Sequence, residues 1–238
     1  MLEPKATTPA ASLLELLAWF SPTMPTGAYS YSHGLEWAIE TGLVRDPGGL
    51  QGYVETVLRQ GSGRLDAAFL CASYRAGRDG SADGRTLEEV VELAAALRGT
   101  SELALESEAQ GRALLTTLEA AWPAPALDEL DALCRRLRIE PPYACVAGVA
   151  AASRRLPLND VLIASLHALA VNLISAGIRL IPLGQTDGQR LTAALAGAIQ
   201  EVAEEASDGS LDDLGTASPV VDWCSMRHET QYTRLFRS

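Results

Sequence analysis

The stretch Val161-Leu162-Ile163-Ala164-Ser165-Leu166-His167-Ala168-Leu169-Ala170-Val171-Asn172-Leu173-Ile174-Ser175-Ala176-Gly177-Ile178 decides the fold. Its 18 residues approach the length of a membrane span. Yet Ser165, His167, Asn172 and Ser175 interrupt it, and no second such segment exists in the chain. A helix apolar on most faces then reads as the centre of a helical core or as an interface between subunits. His167 is expected there as a core or interface histidine with its hydrogen bond satisfied. Arg179 falls in the last turn, where a cation complements the helix dipole.

Working outward, alanine and leucine dominate, and β-branched and aromatic residues are sparse, which favours helix throughout. Ser12 and Glu15 have the spacing of a capping box, as do Thr86 and Glu89. Asp46 followed by Pro47 reads as an N-cap with proline at the first helical position. Further helices are expected over 65–76, 102–121, 127–137, 142–153 and 159–180, and one from 190 to about 205. The breaks at 77–84, 123–125 and 141–142 are too short for domain linkers. The expectation is an all-α chain, one compact helical domain of roughly nine or ten helices over 12–205, with a flexible C-terminal tail. Residues 1–11 read as a disordered N-terminal tail without the pattern of a signal peptide. Glu201 to Asp222 holds seven acids and no base, so 206–222 reads as an acidic flexible linker.

The 238 residues carry a formal net charge of −11, and Lys5 is the single lysine among 19 basic residues. That balance argues against nucleic acid and against an anionic membrane surface as partners. Cys71, Cys134, Cys145 and Cys224 form no CxxC pair and read as reduced, buried thiols, which points to the cytoplasm.

No catalytic motif is legible. There is no GxxxxGK[ST] loop and no HExxH, and the glycines of 61–63 and 184–189 read as turns. His33, His167 and His228 lie far apart. Cys224 and His228, four apart, are weak metal candidates, but two ligands are too few for a tight site. No cofactor is expected. Between Ser21 and Glu36 two prolines and Gly27 set a rigid turn. Ser30 or Ser32 then reads as the opening of the helix that carries Glu36.

Residues 223–238 change character abruptly. Trp223, Met226, Tyr232, Leu235 and Phe236 stand among Arg227, Arg234 and Arg237, the composition of an interface hot spot. If helical, Tyr232, Leu235 and Phe236 share one face. That face either docks on the chain's own core or meets a partner.

At these residues the sequence resembles the UreF family of urease accessory proteins along nearly its whole length. The match runs from Ser21-Pro22 through Pro25-x-Gly27-Ala28-Tyr29-Ser30-Tyr31-Ser32-x-Gly34-Leu35-Glu36. It continues at Glu102, Glu106, Ser107, Gln110 and Gly111, and at Ser175-Ala176-x-x-Arg179-Leu180-x-Pro182 through Gln189. It ends with Ser225 through Ser238. The resemblance implies an all-α homodimer without catalytic activity, which binds the UreD/UreH accessory protein and recruits the UreG GTPase. The assembly so formed delivers nickel to apo-urease. It further implies partner-binding roles for Met226, Arg227, His228, Glu229, Tyr232, Arg234, Leu235 and Phe236, with Tyr29 and Ser30 beside them. An all-α small-molecule enzyme and a direct nickel carrier using Cys224 and His228 stand as the alternatives.

Overall fold

The computed structural model of the chain describes residues 8–238. Among them are twelve α-helices and no strand. The first six are α1 Pro9–Trp19, α2 Leu35–Glu40, α3 Pro47–Gln60, α4 Ser62–Asp79, α5 Leu87–Ala96 and α6 Ser101–Ala121. The other six are α7 Pro125–Leu137, α8 Tyr143–Ser153, α9 Leu158–Leu180, α10 Gln185–Ala194, α11 Ala196–Asp208 and α12 Pro219–His228. Single 3-10 turns occur at Ala28–Ser30 and Leu211–Asp213. The all-α expectation holds, with more helices than the nine or ten expected.

The extra helices have local causes. The expected helix from 190 divides at Leu195 into α10 and α11. The run from Gln185, expected as a turn, is helical from its first residue, because Asp187 folds back to accept from the Gly184 amide at 3.2 Å. The α1 cap is Thr8 rather than Ser12. Thr8 accepts from the Ala11 amide at 3.3 Å, and Pro9 supplies a first helical position already set in φ. Glu15 is thereby free to pair with both sides of the Arg154 guanidinium. Of the N-terminal tail expected over 1–11, residues 1–7 lie outside the described residues, and 9–11 are helix. The Asp46 cap and the Thr86–Glu89 capping box form as expected.

The centre of the core is α8. Every residue from Ala144 to Ala152 is buried, so this helix has no solvent face at all. Its small side chains let neighbours approach to backbone contact. A Cβ on Gly148 would collide with the Leu70 carbonyl of α4 and lie 2.9 Å from the Tyr74 amide. On another side of α8, a Cβ on Gly111 of α6 would overlap the Pro141 carbonyl and sit 2.8 Å from the Tyr143 amide. Glycine is what these two crossings require.

The 161–178 stretch lies within α9, which forms a wall of the core and not its axis. Leu162, Leu166, Ala170, Leu173 and Ile174 face inward, and 44% of its apolar window is buried. His167, expected in a core or interface, is exposed. The segment expected as a flexible linker is laid along α3 and α4. Of its acids, Asp212 meets Arg85 in the turn before α5 at 2.5 Å, and just ahead of it Glu201 and Glu205 of α11 meet Arg59 of α3 at 2.6 Å and Arg64 of α4 at 3.3 Å. Leu211 is buried, and the Ala217 amide donates to the Gln60 carbonyl at 2.9 Å. The expected border at residue 222 falls inside α12.

Gly148→Ala is expected to destabilise the chain by about 2–3 kcal/mol, because both obstructing groups are backbone. Gly52→Ala, on the exposed side of α3 with nothing within 4 Å, is expected to stabilise it by about 0.5–1 kcal/mol. Urea melts of both variants check the opposite signs.

Candidate functional site

The site is where residues 223–238 meet α2 and α6, and it begins at a glycine. Gly34 takes φ 74°, and a Cβ there would strike the Ser225 amide and lie 2.6 Å from the Cys224 carbonyl carbon. The bare backbone lets α12 lie directly on the start of α2. His33 also has positive φ, 53°, and its carbonyl accepts from the Tyr53 hydroxyl at 2.7 Å. Gly34, rather than Ser30 or Ser32, is the N-cap of α2, although the Ser32 hydroxyl accepts from the Glu36 amide at 3.5 Å. Ser30 donates to the Gly27 carbonyl at 2.8 Å, and the Ser32 amide donates to the Ser238 carbonyl at 2.6 Å.

Two buried carboxylates then hold the tail. Glu36 of α2 accepts from the Leu235 amide at 2.7 Å, the Phe236 amide at 2.9 Å and His228 Nε2 at 3.1 Å. Glu102 in the first turn of α6 accepts from His228 Nδ1 at 2.9 Å and from Arg234 Nη1 at 3.1 Å. A carboxylate can only accept, so a ring bonded to one on each nitrogen carries two protons and is an imidazolium. Burial opposes that charge, but Glu102 and Glu36 outweigh it and raise the His228 pKa above its ordinary 6.5. One turn further along α6, Glu106 accepts from His33 Nε2 at 3.0 Å, Gln110 Nε2 at 2.8 Å and Ser238 Oγ at 3.1 Å. The pKa of His33 is raised likewise, Glu106 overcoming the burial.

The condition on which the last residues would share a helical face is not met. The helix stops at His228, and 229–238 form a turn and an irregular return. Tyr232, Leu235 and Phe236 therefore do not share a face. Phe236 is buried, with the Arg179 guanidinium 4.5 Å above its ring. Arg179, expected only to complement its helix dipole, also donates to the Tyr29 carbonyl at 2.9 Å. Ser30 joins in through its carbonyl, which accepts from the Arg237 amide at 2.7 Å. His228 and Phe236 thus face the chain's own interior. Trp223, Met226, Arg227, Tyr232, Arg234 and Leu235 face outward, with Tyr232 fully exposed. Glu229 lies on the surface and accepts from Ser101 Oγ at 2.6 Å.

The metal candidates do not converge. Both His228 nitrogens are taken by carboxylates, and burial lifts the Cys224 thiol pKa. No group of three or more His, Cys, Asp or Glu is placed for a metal among the described residues. Titratable groups do gather in one cavity, lined by His33, Asp66, Arg98, Glu106 and Tyr143. Its volume of about 90 Å³ suits a few waters, well below the roughly 300 Å³ of a substrate pocket. Asp66 there is held by Arg98 at 2.7 Å.

In the sequence Glu36, Glu102 and Glu106 stand out only as family positions, and His33 does not stand out as a site residue. A signal was present: Glu102 and Glu106 stand four apart, on the same helix face as Ser107, Gln110 and Gly111, all of it buried. A repeated acid on a buried stripe calls for buried cations.

Fold and site together define an all-helical protein in which three buried carboxylates, Glu36, Glu102 and Glu106, position its own C-terminal segment. The family model for UreF matches residues 44–196. The urease accessory protein UreF of Granulibacter bethesdensis is 46% identical over 235 residues, covering 99% of this chain and 98% of that protein. Those of Bradyrhizobium diazoefficiens and Xanthobacter autotrophicus are 46% and 47% identical, over 98% and 95% of this chain and 94% and 91% of theirs. The chain belongs to the UreF family of urease accessory proteins.

Removing the Glu36 carboxylate strands two backbone amides and takes from the buried His228 ring one of its two carboxylates. Glu36→Ala is expected to cost about 3–5 kcal/mol. Hydrogen exchange should show Leu235 and Phe236 among the amides that lose protection.

Proposed function

We propose that this chain is a non-enzymatic adaptor of urease maturation. It binds UreD/UreH through its C-terminal segment, recruits the UreG GTPase and supports nickel insertion into apo-urease, working in the cytoplasm as a homodimer. The observation that carries this reading is the division of labour in the tail. His228 and Phe236 anchor it inward, and this sets Trp223, Met226, Tyr232 and Leu235 on the surface with Arg227, Glu229 and Arg234 among them. Large apolar groups held by a rigid support form a docking surface with its ordering cost already met.

Tyr29 and Ser30 extend the same surface through their contacts with Arg179 and Arg237. For the homodimer, support comes from α1. Leu13, Leu14 and Leu17 are exposed there, beside an open groove of about 330 Å³ between the 19–29 segment and α9.

The test is co-expression with tagged UreD/UreH and with UreG. The double variant Tyr232→Ala/Leu235→Ala leaves the buried anchors intact. It is expected to lose at least about thirtyfold in affinity for UreD/UreH, the scale of a hot spot worth about 2 kcal/mol. Recovery equal to the unaltered chain would remove the tail from the interface.

A further inference from the structure

We propose that His228 is a proton-operated latch: as an imidazolium bridging Glu36 and Glu102 it locks the C-terminal segment onto α2 and α6, and loss of one proton releases it. The latch is a property of the isolated chain. Its consequence for partner binding rests on the function proposed above.

The geometry leaves little room for a neutral ring. His228 is fully buried between Glu36 and Glu102, which are themselves almost without exposure. A neutral imidazole keeps one N–H and turns a lone pair towards the other carboxylate. At 2.9–3.1 Å, away from water, that places a lone pair against an anion. If the bare nitrogen faces Glu36, that carboxylate loses its cation and retains the Leu235 and Phe236 amides. If it faces Glu102, Arg234 remains at 3.1 Å, on a side chain 40% exposed. Either way a buried anion loses a partner, and the cheapest relief is to hydrate it by lifting the chain after His228.

The charged surroundings are few. From α2 there is Glu36, from α6 Glu102, and from the returning chain Arg234. Glu229, next to His228, turns outward to Ser101. On the α3 side, Tyr53 and Cys224 hold their protons, since burial raises both pKa values. The Thr100 and Ser225 hydroxyls meet at 2.7 Å and carry no charge. A second pair, His33–Glu106, holds Ser238 further along α6.

The direction follows from linkage. The folded-state pKa of His228 is raised, so the docking contribution is complete below the ordinary 6.5 and is lost as pH rises through the folded value. Beyond that point docking weakens by up to about tenfold per pH unit. The tail surface is therefore held in place below that raised value and set free above it.

The three histidines make the test tractable. Imidazole NMR of the full chain from about pH 6 to about pH 9.5, assigned with His33→Gln and His167→Gln variants, follows each ring. Hydrogen exchange, corrected for its intrinsic pH dependence, follows the Leu235 and Phe236 amides. The expected result is that the His228 ring titrates above 6.5 and that tail protection falls with the same midpoint, while Leu115 and Val149 stay protected. His228→Gln should leave the tail unprotected at every pH.

The latch is overturned if His228 titrates with tail protection unchanged, if it stays in one form throughout, or if protection follows the His33 midpoint. A His228→Gln tail as protected as the original does the same. The unaltered chain decides the matter even if that variant folds poorly. Failure of the UreD/UreH co-purification leaves these outcomes untouched.

Discussion

The Leu70 carbonyl occupies the space where any side chain on residue 148 would begin. That single exclusion brings α4 and α8 to backbone contact and makes α8 the buried axis of the molecule. The rest is arranged from it. Gly111 repeats the device and presses α6 against the Pro141–Tyr143 backbone that leads into α8. With α6 fixed so closely, its first turns project Glu102 and Glu106 towards α2 at a defined height. Gly34 is the third such approach, and it brings α12 down onto the same place. Three contacts that need glycine thus carry the position of the core helix out to the position of the tail.

The buried charges at that place have a physical logic of their own. Glu36, Glu102 and Glu106 lose their hydration, a cost of several kcal/mol for each ion, and recover it only through complete partnering. Their partners are His228, His33, Arg234, Gln110, the Ser238 hydroxyl and two backbone amides. An apolar plug could seal the same groove at lower cost. A charged one fixes the register of the returning chain residue by residue, because each carboxylate oxygen has an assigned donor. It also makes docking sensitive to protonation in a way that an apolar seal is not.

Much of the fold was legible because it rests on local signals. The Asp46 and Thr86 caps, the breaks near Pro123 and Pro141 and the long helix through 102–121 all lie within a few residues of their causes. Ser12 misled because Thr8, with Pro9 after it, offered a better start four residues earlier. The candidate site was less legible. Trp223, Met226, Tyr232 and Leu235 stood out by composition. Their division from His228 and Phe236 did not, since it depends on the chain turning back after His228, which no local spacing states. His167 was expected in a core or an interface because its neighbours in sequence are apolar, and the chain places it on the exposed side of α9, outside the core.

Helix content, the absence of sheet, the acidic balance, the peculiarity of the last sixteen residues and the family itself are properties of the amino-acid order. They arise from propensities and spacings that act within one or two helical turns. Which helix is the axis, where the 206–222 acids go and which tail residues face inward were decided only by tertiary packing. The reason is distance along the chain. Glu36, Glu102 and His228 are separated by 66 and 126 residues, and no local pattern states that they meet. Their meeting depends on α2, α6 and α12 being brought to one point by close crossings elsewhere. Burial then turned three ordinary surface-type residues into a single charged clamp.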